Sequence, residues 1–389
     1  MKILVVCQYY SPEPFRHPDI CEELARRGHE VFVVTGTPNY PMGKIYSGYG
    51  HGKRRDETVN GVRVHRCFTV PRKNNPVFRI LNYYSYVFSS TRYIKRIKED
   101  FDIVFVNQLS PVIMAKAGIV YKKRKNVKLA LYCLDLWPQS MVMGGVKPGS
   151  FIYSVLHRTS EKIYKAADKL LVSSPDFADY FKDEFGITDT CHLPQYAEDI
   201  FTPENCAKKP DGNIDLMFAG NIGAAQDVDT IIGAAKLLTD IGNLKIHIVG
   251  DGSELSRIKT LAANLPNVIF HGRQPLEKMP EYYSKADAML VTLKDSELNA
   301  TLPGKVQTCL AAGKPIIAAA GGETARVIAE AGNGFCSAAG DSKALAENIR
   351  KFIAADRSVF CKNAAEYYNE NYSKSAFINK LERAMEDLV

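Results

Sequence analysis

Residues 2–35 read KILVVCQYYSPEPFRHPDICEELARRGHEVFVVT, and this stretch decides the fold. Lys2–Val6 is a short apolar run, the mark of a strand buried on both faces. The loop Gln8–Pro18 follows, with Pro12, Pro14 and Pro18. Asp19–Arg27 then reads as a helix, with Ile20, Leu24 and Ala25 on one face and Gly28 as its stop. Glu30–Thr35 is a second apolar run. A strand, loop, helix and strand in this order begin a parallel, doubly wound sheet.

The pattern continues along the chain. Further strands are predicted at Val62–Phe68, Ile103–Asn107, Leu129–Cys133 and Lys169–Ser173. Helices are predicted at Asn82–Lys98, Ser110–Lys122, Ser150–Ala166 and Pro175–Phe185. The second half repeats the design, with strands at Ile214–Ala219, Lys245–Val249, Val268–His271, Ala288–Thr292 and Pro315–Ala320. Helices fit Asp229–Asp240, Ser253–Asn264, Leu276–Ala286, Lys305–Ala312, Glu323–Ala331 and Ser342–Ala354, and Ala364–Val389 reads as helical. Regular alternation predicts an α/β protein with two sheets. Pro194, Pro203, Pro210 and Gly212 mark a linker near Leu193–Ile214.

The chain has 389 residues, 46% apolar and 24% charged, which excludes a mostly disordered or collagen-like chain. No run of about 18 uncharged apolar residues predicts a transmembrane helix. The N-terminus lacks the apolar core and cleavage site of a signal peptide. The nine cysteines are odd in number and scattered, without CxxC, so reduced thiols in a cytoplasmic protein and no zinc site are expected.

Charge is uneven. Residues 1–195 carry a net +11 and the remainder a net −4. Lys44–Lys98 holds 13 basic residues and two acidic ones, interleaved with aromatics such as Tyr83, Tyr84, Tyr86 and Phe88. A solvated basic face and an anionic membrane surface both suit this stretch. Nucleic acid is the third and least favoured reading, because no binding motif accompanies the charge.

In an open α/β sheet, ligands bind beyond the carboxyl ends of the strands. After Ile214–Ala219 comes Gly220-Asn221-Ile222-Gly223-Ala224-Ala225-Gln226, where glycines allow close backbone approach to a ligand or simply a tight turn. Gly250-Asp251-Gly252 and Gly272-Arg273 end the next two strands. Thr301-Leu302-Pro303-Gly304-Lys305 opens a helix, and a lysine placed against the helix dipole calls for an anionic partner. In the first half, Gln108 and Asp135 stand at strand ends, Asp135 beside Trp137, the only tryptophan. Asp135 reads either as a general base or acceptor ligand, or as a structural hydrogen-bonder. Asp227-Val228-Asp229 has the spacing of a metal-binding carboxylate pair but also starts a helix. No GxSxG nucleophile motif is present.

Together these segments resemble the family 4 retaining glycosyltransferases of the GT-B fold. The subgroup acting in capsule, colanic-acid and O-antigen assembly is similar over the full length. The carriers are YYSPEPFRHPDICEELARRGHEV, TGTPNYPMGKIYSGYG, LDLWPQS, FAGNIGAAQDVDTIIGAAKLL, IVGDGSE and LPGKVQTCLAAGKPIIAAAGGE. The resemblance implies two Rossmann-like domains facing a cleft. Residues 1–195, with a returning helix at 370–389, would bind the acceptor, and residues 196–369 a nucleotide-sugar. Gly220, Asn221, Gly223, Gln226, Asp251, Gly252, Thr301, Leu302 and Glu323 would meet the donor. Arg273 and Lys305 would neutralise its departing diphosphate. Asp135 and Gln108 would face the sugar or acceptor, and Arg16, Tyr40 and Lys44 would border the acceptor entrance.

The sequence departs from the family pattern in three places. Asn221 and Gln226 stand where many members carry Arg and Lys. Ala300 and Thr308 replace paired glutamates, with Glu297 out of register. Pro12-Glu13-Pro14-Phe15-Arg16 replaces a glycine pair. The expectation is a metal-independent transferase without a cofactor, peripheral on the inner face of the cell membrane. It would move a sugar from a UDP-linked donor to a lipid-linked saccharide. A nucleotide-sugar epimerase of the same fold and a non-catalytic nucleotide-sugar-binding protein are the alternatives.

Overall fold

A computed structural model describes residues 1–73, 75–143, 145–209, 211–294 and 302–389. The chain divides into two compact units. Unit 1 comprises Met1–Ser173, Phe177–Leu193 and Ile378–Val389; unit 2 comprises Ser174–Asp176 and Pro194–Phe377.

The strands of unit 1 are β1 (Lys2–Val6), β2 (Glu30–Gly36), β3 (Asp56–Val59), β4 (Val62–Cys67), β5 (Ile103–Gln108), β6 (Lys128–Cys133), β7 (Lys169–Val172) and β8 (Thr190–His192). They form one sheet in the order β3-β4-β2-β1-β5-β6-β7-β8. Every pair is parallel except the β3–β4 hairpin. Helices α1 (His17–Arg26), α2 (Pro76–Ile94), α3 (Lys116–Lys125), α4 (Gln139–Met143), α5 (Phe151–Tyr164) and α6 (Pro175–Phe185) alternate with them. The apolar runs are buried as crossover packing demands: Ile3, Leu4, Val5 and Val6 are fully buried, as are Ile103–Val106. The side chains of α1 reach the core through Ile20, Cys21 and Leu24.

Unit 2 has β9 (Ile214–Ala219), β10 (Leu244–Val249), β11 (Val268–Gly272), β12 (Ala288–Thr292), β13 (Ile316–Ala319) and β14 (Gly334–Ser337). Its sheet, ordered β11-β10-β9-β12-β13-β14, is parallel throughout. Its helices are α7 (Val228–Lys236), α8 (Leu255–Leu261), α9 (Met279–Tyr283), α10 (Gly304–Ala311), α11 (Gly322–Ala331), α12 (Ser342–Ala354) and α13 (Arg357–Asn371). The last helix, α14 (Lys374–Glu386), ends among the residues of unit 1. There Arg27 Nη1 donates to Glu382 Oε2 at 2.6 Å, and His29 Nε2 lies 2.8 Å from Glu382 Oε1.

The two halves therefore share an α/β, doubly wound design, as the alternation predicts. The departures are local. Strands β3, β8 and β14 are edge strands of only three or four residues and carry no long apolar run, whereas the edge strand β11 keeps one at Val268–Phe270. The β3–β4 turn is Asn60-Gly61, both at positive φ, a hairpin signal present in the sequence. The helix expected at Ser110–Lys122 starts only at Lys116, after Pro111 and a 3₁₀ turn at Val112–Ala115. The helical C-terminal stretch is two helices with a break at Tyr372–Ser373.

Candidate active site

The carboxyl edge of the unit 2 sheet is built from backbone packed on backbone. Gly220 N donates to Val249 O at 3.0 Å, Gly250 N to Gly272 O at 2.9 Å, and Ile222 N to Asp251 O at 2.8 Å. Two glycines make this approach possible. A Cβ on Gly250 would sit 1.8 Å from Gly220 O, and one on Gly252 would sit 2.3 Å from Ile222 O. Gly250 also has φ +145°, a conformation other residues rarely adopt. These two glycines thus let neighbouring loops pack together, and Gly250 also lines the cavity beside them.

Beside the stitched loops lies a cavity of about 540 Å³ within unit 2. That volume is within the range of small-molecule sites, roughly 300–1,000 Å³. Gly220, Asn221, Asp251, Arg273 and Lys305 line it, with Met279 and Tyr283 supplying apolar wall. Arg273 is exposed, and among the described residues no hydrogen bond or ion pair holds it. Lys305 opens α10, its ammonium 4.6 Å from the centroid of the Phe218 ring, with Gln226 Oε1 accepting its hydrogen bond. Burial lowers its pKa to about 8, and among the described residues no carboxylate pairs with it. The cavity therefore holds two cations, neither ion-paired among the described residues, together with the acids Asp251 and Glu198, and the two cations suit a diphosphate.

The other donor-side candidates are placed differently. Gln226 acts on Lys305 rather than lining the cavity, and Thr292 Oγ1 fixes its carbonyl at 2.6 Å. Gly223, Gly252 and Leu302 lie outside the lining, and the Leu302 side chain is buried in an apolar cluster. Glu323 is buried, with its carboxylate held by Arg326 Nε at 2.8 Å. Thr301, Ala300 and Glu297 lie outside the described residues. Thr308, in the position of an expected glutamate, lines the cavity. Glu198 and Phe201, from within the linker segment, also line it, and nothing in their spacing singled them out.

In unit 1 the strand-end loops are locked by side chains. Gln108 Nε2 donates to Asp135 O at 3.0 Å, so these two candidates are together. Trp137 Nε1 donates to Asp135 Oδ2 at 3.0 Å. Burial raises the Asp135 pKa, while hydrogen bonds from Ser110, Trp137 and Ser140 oppose the rise. Its carboxylate thus has both the half-buried setting of a functional group and the local bonding of a structural one.

Glu13, read only as part of a departure from the glycine pattern, proves central. It is buried, and its Oε1 accepts from Asn39 N at 2.8 Å and Tyr40 N at 2.7 Å. Its Oε2 accepts from Tyr10 N at 3.2 Å. Burial pushes its pKa up to about 7, with the backbone hydrogen bonds opposing. The carboxylate joins the first loop to the loop after β2, and a glutamate between two prolines was the available signal. It also places Tyr40 against Phe15, at 5.3 Å between ring centroids, with the Arg72 guanidinium 5.4 Å from the Tyr40 centroid. Arg16 stands at the start of α1, and Lys44 is exposed on the loop after Tyr40.

The metal reading of Asp227 and Asp229 finds no support in geometry. Asp227 Oδ2 accepts from Thr230 Oγ1 at 2.6 Å, and Asp229 takes two bonds of 2.6 Å from Arg257. Among the described residues no group of three or more His, Cys, Asp or Glu could hold a metal ion.

This fold matches what comparison with known proteins finds. The family described as glycosyl transferases group 1 matches residues 204–376, and the glycosyl transferase 4-like domain matches residues 17–191. The chain belongs to the family 4 glycosyltransferases of the GT-B fold. It is 26% identical over 348 residues to the probable glycosyltransferase WbjE of Pseudomonas aeruginosa, covering 83% of this chain and 84% of that one. It is also 26% identical to the putative colanic acid biosynthesis glycosyl transferase WcaI of Escherichia coli K12, covering 80% and 82%. Among solved structures, Anabaena HepE in complex with UDP superimposes with a TM-score of 0.70 at 14% identity, over 100% of both chains. That likeness concerns the fold.

Proposed function

We propose that the protein transfers a sugar from a UDP-linked nucleotide-sugar to a lipid-linked saccharide in bacterial surface polysaccharide synthesis. The observation that carries this reading is the unit 2 cavity, where Lys305 and Arg273 stand without described counter-ions beside the Gly220 and Gly250 loops. WcaI, by its name, acts in colanic acid synthesis, and HepE was solved with UDP, which supports the pathway and the donor base.

Breaking the sugar–phosphate bond builds negative charge on the departing diphosphate. Lys305 and Arg273 would stabilise it, as fixed cations do most effectively where charge develops. Gly220 and Asn221 would border the phosphates. The helix dipole and two cations supply positive charge at this point, so the proposed reaction is metal-independent and needs no cofactor. Retention of anomeric configuration would follow a front-face displacement in which the leaving phosphate helps take the acceptor proton. Asp135 and Gln108 would orient the acceptor, and Tyr40, Arg16 and Lys44 would border its entrance.

The acceptor side would work at the inner face of the cell membrane. Unit 1 exposes Val77, Ile80, Leu81, Tyr84 and Phe88 on α2, and Phe151, Ile152 and Val155 on α5. Both helices pack against the same 3₁₀ turn at Val112–Ala115. Among the described residues no helix is long and apolar enough to cross a membrane. Exposed apolar side chains beside basic ones suit an interfacial surface.

The test is UDP release from UDP-sugars, with and without a polyprenyl-diphosphate-linked saccharide. Acceptor-dependent release of UDP with a lengthened lipid-linked product is expected. Epimerised donor without acceptor, or no consumption under any condition, would overturn the reading.

A further inference from the structure

A groove of about 500 Å³ runs along α2 to the first residue of α3, wholly within unit 1. Tyr84, Val87 and Phe88 form one end. Arg92, Lys95 and Arg96 form the other, and Lys116 also lines the groove. Among the described residues none of these four cations has an ion-pair or hydrogen-bond partner for its side chain, and no acid lines the groove. Thr91 lies between the two ends, and its hydroxyl oxygen is buried without a described partner.

The pattern on α2 is directional. Its inward face carries Tyr83, Tyr86, Val87, Ser90 and Ile94 into the core. Its outward face exposes Val77, Ile80, Leu81, Tyr84 and Phe88, interrupted by Arg79, and is basic in the last turn. A helix C-terminus favours cations, which accounts for Arg92, Lys95 and Arg96 in part. It does not account for Lys116, which opens α3 at the end where the dipole repels a cation. Four cations and no acid in the lining of one groove call for an anion. The apolar end calls for a hydrocarbon attached to it. Tyr84 and Lys95 are eleven residues apart, roughly 16 Å along a helix axis, comparable to an acyl chain.

We propose that this groove binds one anionic phospholipid of the membrane. Arg92, Lys95 and Arg96 hold its phosphate, Phe88 and Tyr84 line its chain, and Lys116 adds positive charge along the groove. This rests on the membrane reading above and narrows it from a charged surface to a single saturable site. Nucleic acid offers phosphate and bases to stack on Tyr84 and Phe88, but nothing for the exposed aliphatic Val77, Ile80 and Leu81 further along α2, so it is an outcome of the test rather than the occupant.

The experiment titrates the full chain with monomeric dihexanoyl phosphatidylglycerol. Saturable one-to-one binding is expected. The double variant Arg92→Ala/Arg96→Ala should weaken it roughly thirtyfold, from about fivefold per basic side chain near an anionic lipid. Both arginines are exposed, so folding should persist, which the variant's circular dichroism and unchanged UDP binding would verify. Dihexanoyl phosphatidylcholine should not bind, and inorganic phosphate should bind far more weakly. Absent binding, equal binding by the variant, equal binding of inorganic phosphate, or displacement by an oligonucleotide would each overturn the proposal. Flotation with phosphatidylcholine vesicles, with and without phosphatidylglycerol, separates the two readings. Ile80→Ser with Phe151→Ser should reduce vesicle binding and leave the monomeric lipid titration unchanged. Failure to float with any vesicle would sink the membrane reading, while the monomer titration would still decide the groove.

Discussion

The strand-end loops of the two units solve the same problem in opposite ways. In unit 2, glycines let one loop lie on the next, and Gly250 and Gly252 are positions where a Cβ would strike backbone oxygen. The charge there is cationic and awaits a partner. In unit 1, the loops are held by side chains: Glu13 takes three backbone amides, and Gln108 and Trp137 fasten Asp135. The charge there is a carboxylate already bonded. A loop closed by backbone leaves its side chains free for ligand, whereas a loop closed by side chains has committed them to holding its own shape.

The largest effect that would sharpen this contrast is on catalysis. Lys305→Ala should lower kcat/KM by about 10²–10³-fold, the usual loss on removing one group that stabilises developing charge. Asp135→Asn should cost less if its carboxylate mainly holds the loop. An equal loss in steady-state assays of both variants would break the proposed division between free cations and bonded acid.

Next comes stability. Gly250→Ala combines a backbone clash with a strained φ and should destabilise by about 3 kcal/mol in denaturant unfolding. Retention of wild-type stability would mean that the two loops separate at little cost.

Glu13→Gln tests the unit 1 lock. It replaces an acceptor by a donor facing backbone N–H, at a cost of about 1–3 kcal/mol. The native carboxyl pKa of about 7 lies above its ordinary 4.5, so between these values the folded state binds more protons than the unfolded one. Wild-type stability from this group is therefore full below about 4.5 and declines as pH rises to about 7. The variant should lack that decline in a melting series over the same range.

The smallest effect is the pH dependence of donor binding. A diphosphate favours the Lys305 ammonium, so UDP affinity should be constant at low pH and fall as pH rises above about 8. Calorimetry of a Lys305→Arg variant, whose guanidinium stays charged over this range, should show no such fall.

The fold was legible because its buried strands are apolar runs separated by helical periodicity, from Ile3–Val6 to Ile316–Ala319. Edge strands β3, β8 and β14 escaped, since each is only three or four residues long and carries no long apolar run. At the site, Lys305 was readable from its conflict with the helix dipole. Glu13 was not, because its role depends on Asn39 and Tyr40, which lie 26 and 27 residues away in sequence. The roles of Gly250 and Gly252 likewise emerge only when neighbouring strands set their loops side by side.

The most direct test of the central claim is thermal unfolding with UDP, GDP, ADP and dTDP, for the wild type and Lys305→Ala. A ligand that binds only the folded state raises the melting temperature with its affinity and concentration. The account predicts a rise with UDP in the wild type that is lost in the variant. No rise with any of the four, or an equal rise in both proteins, would contradict it.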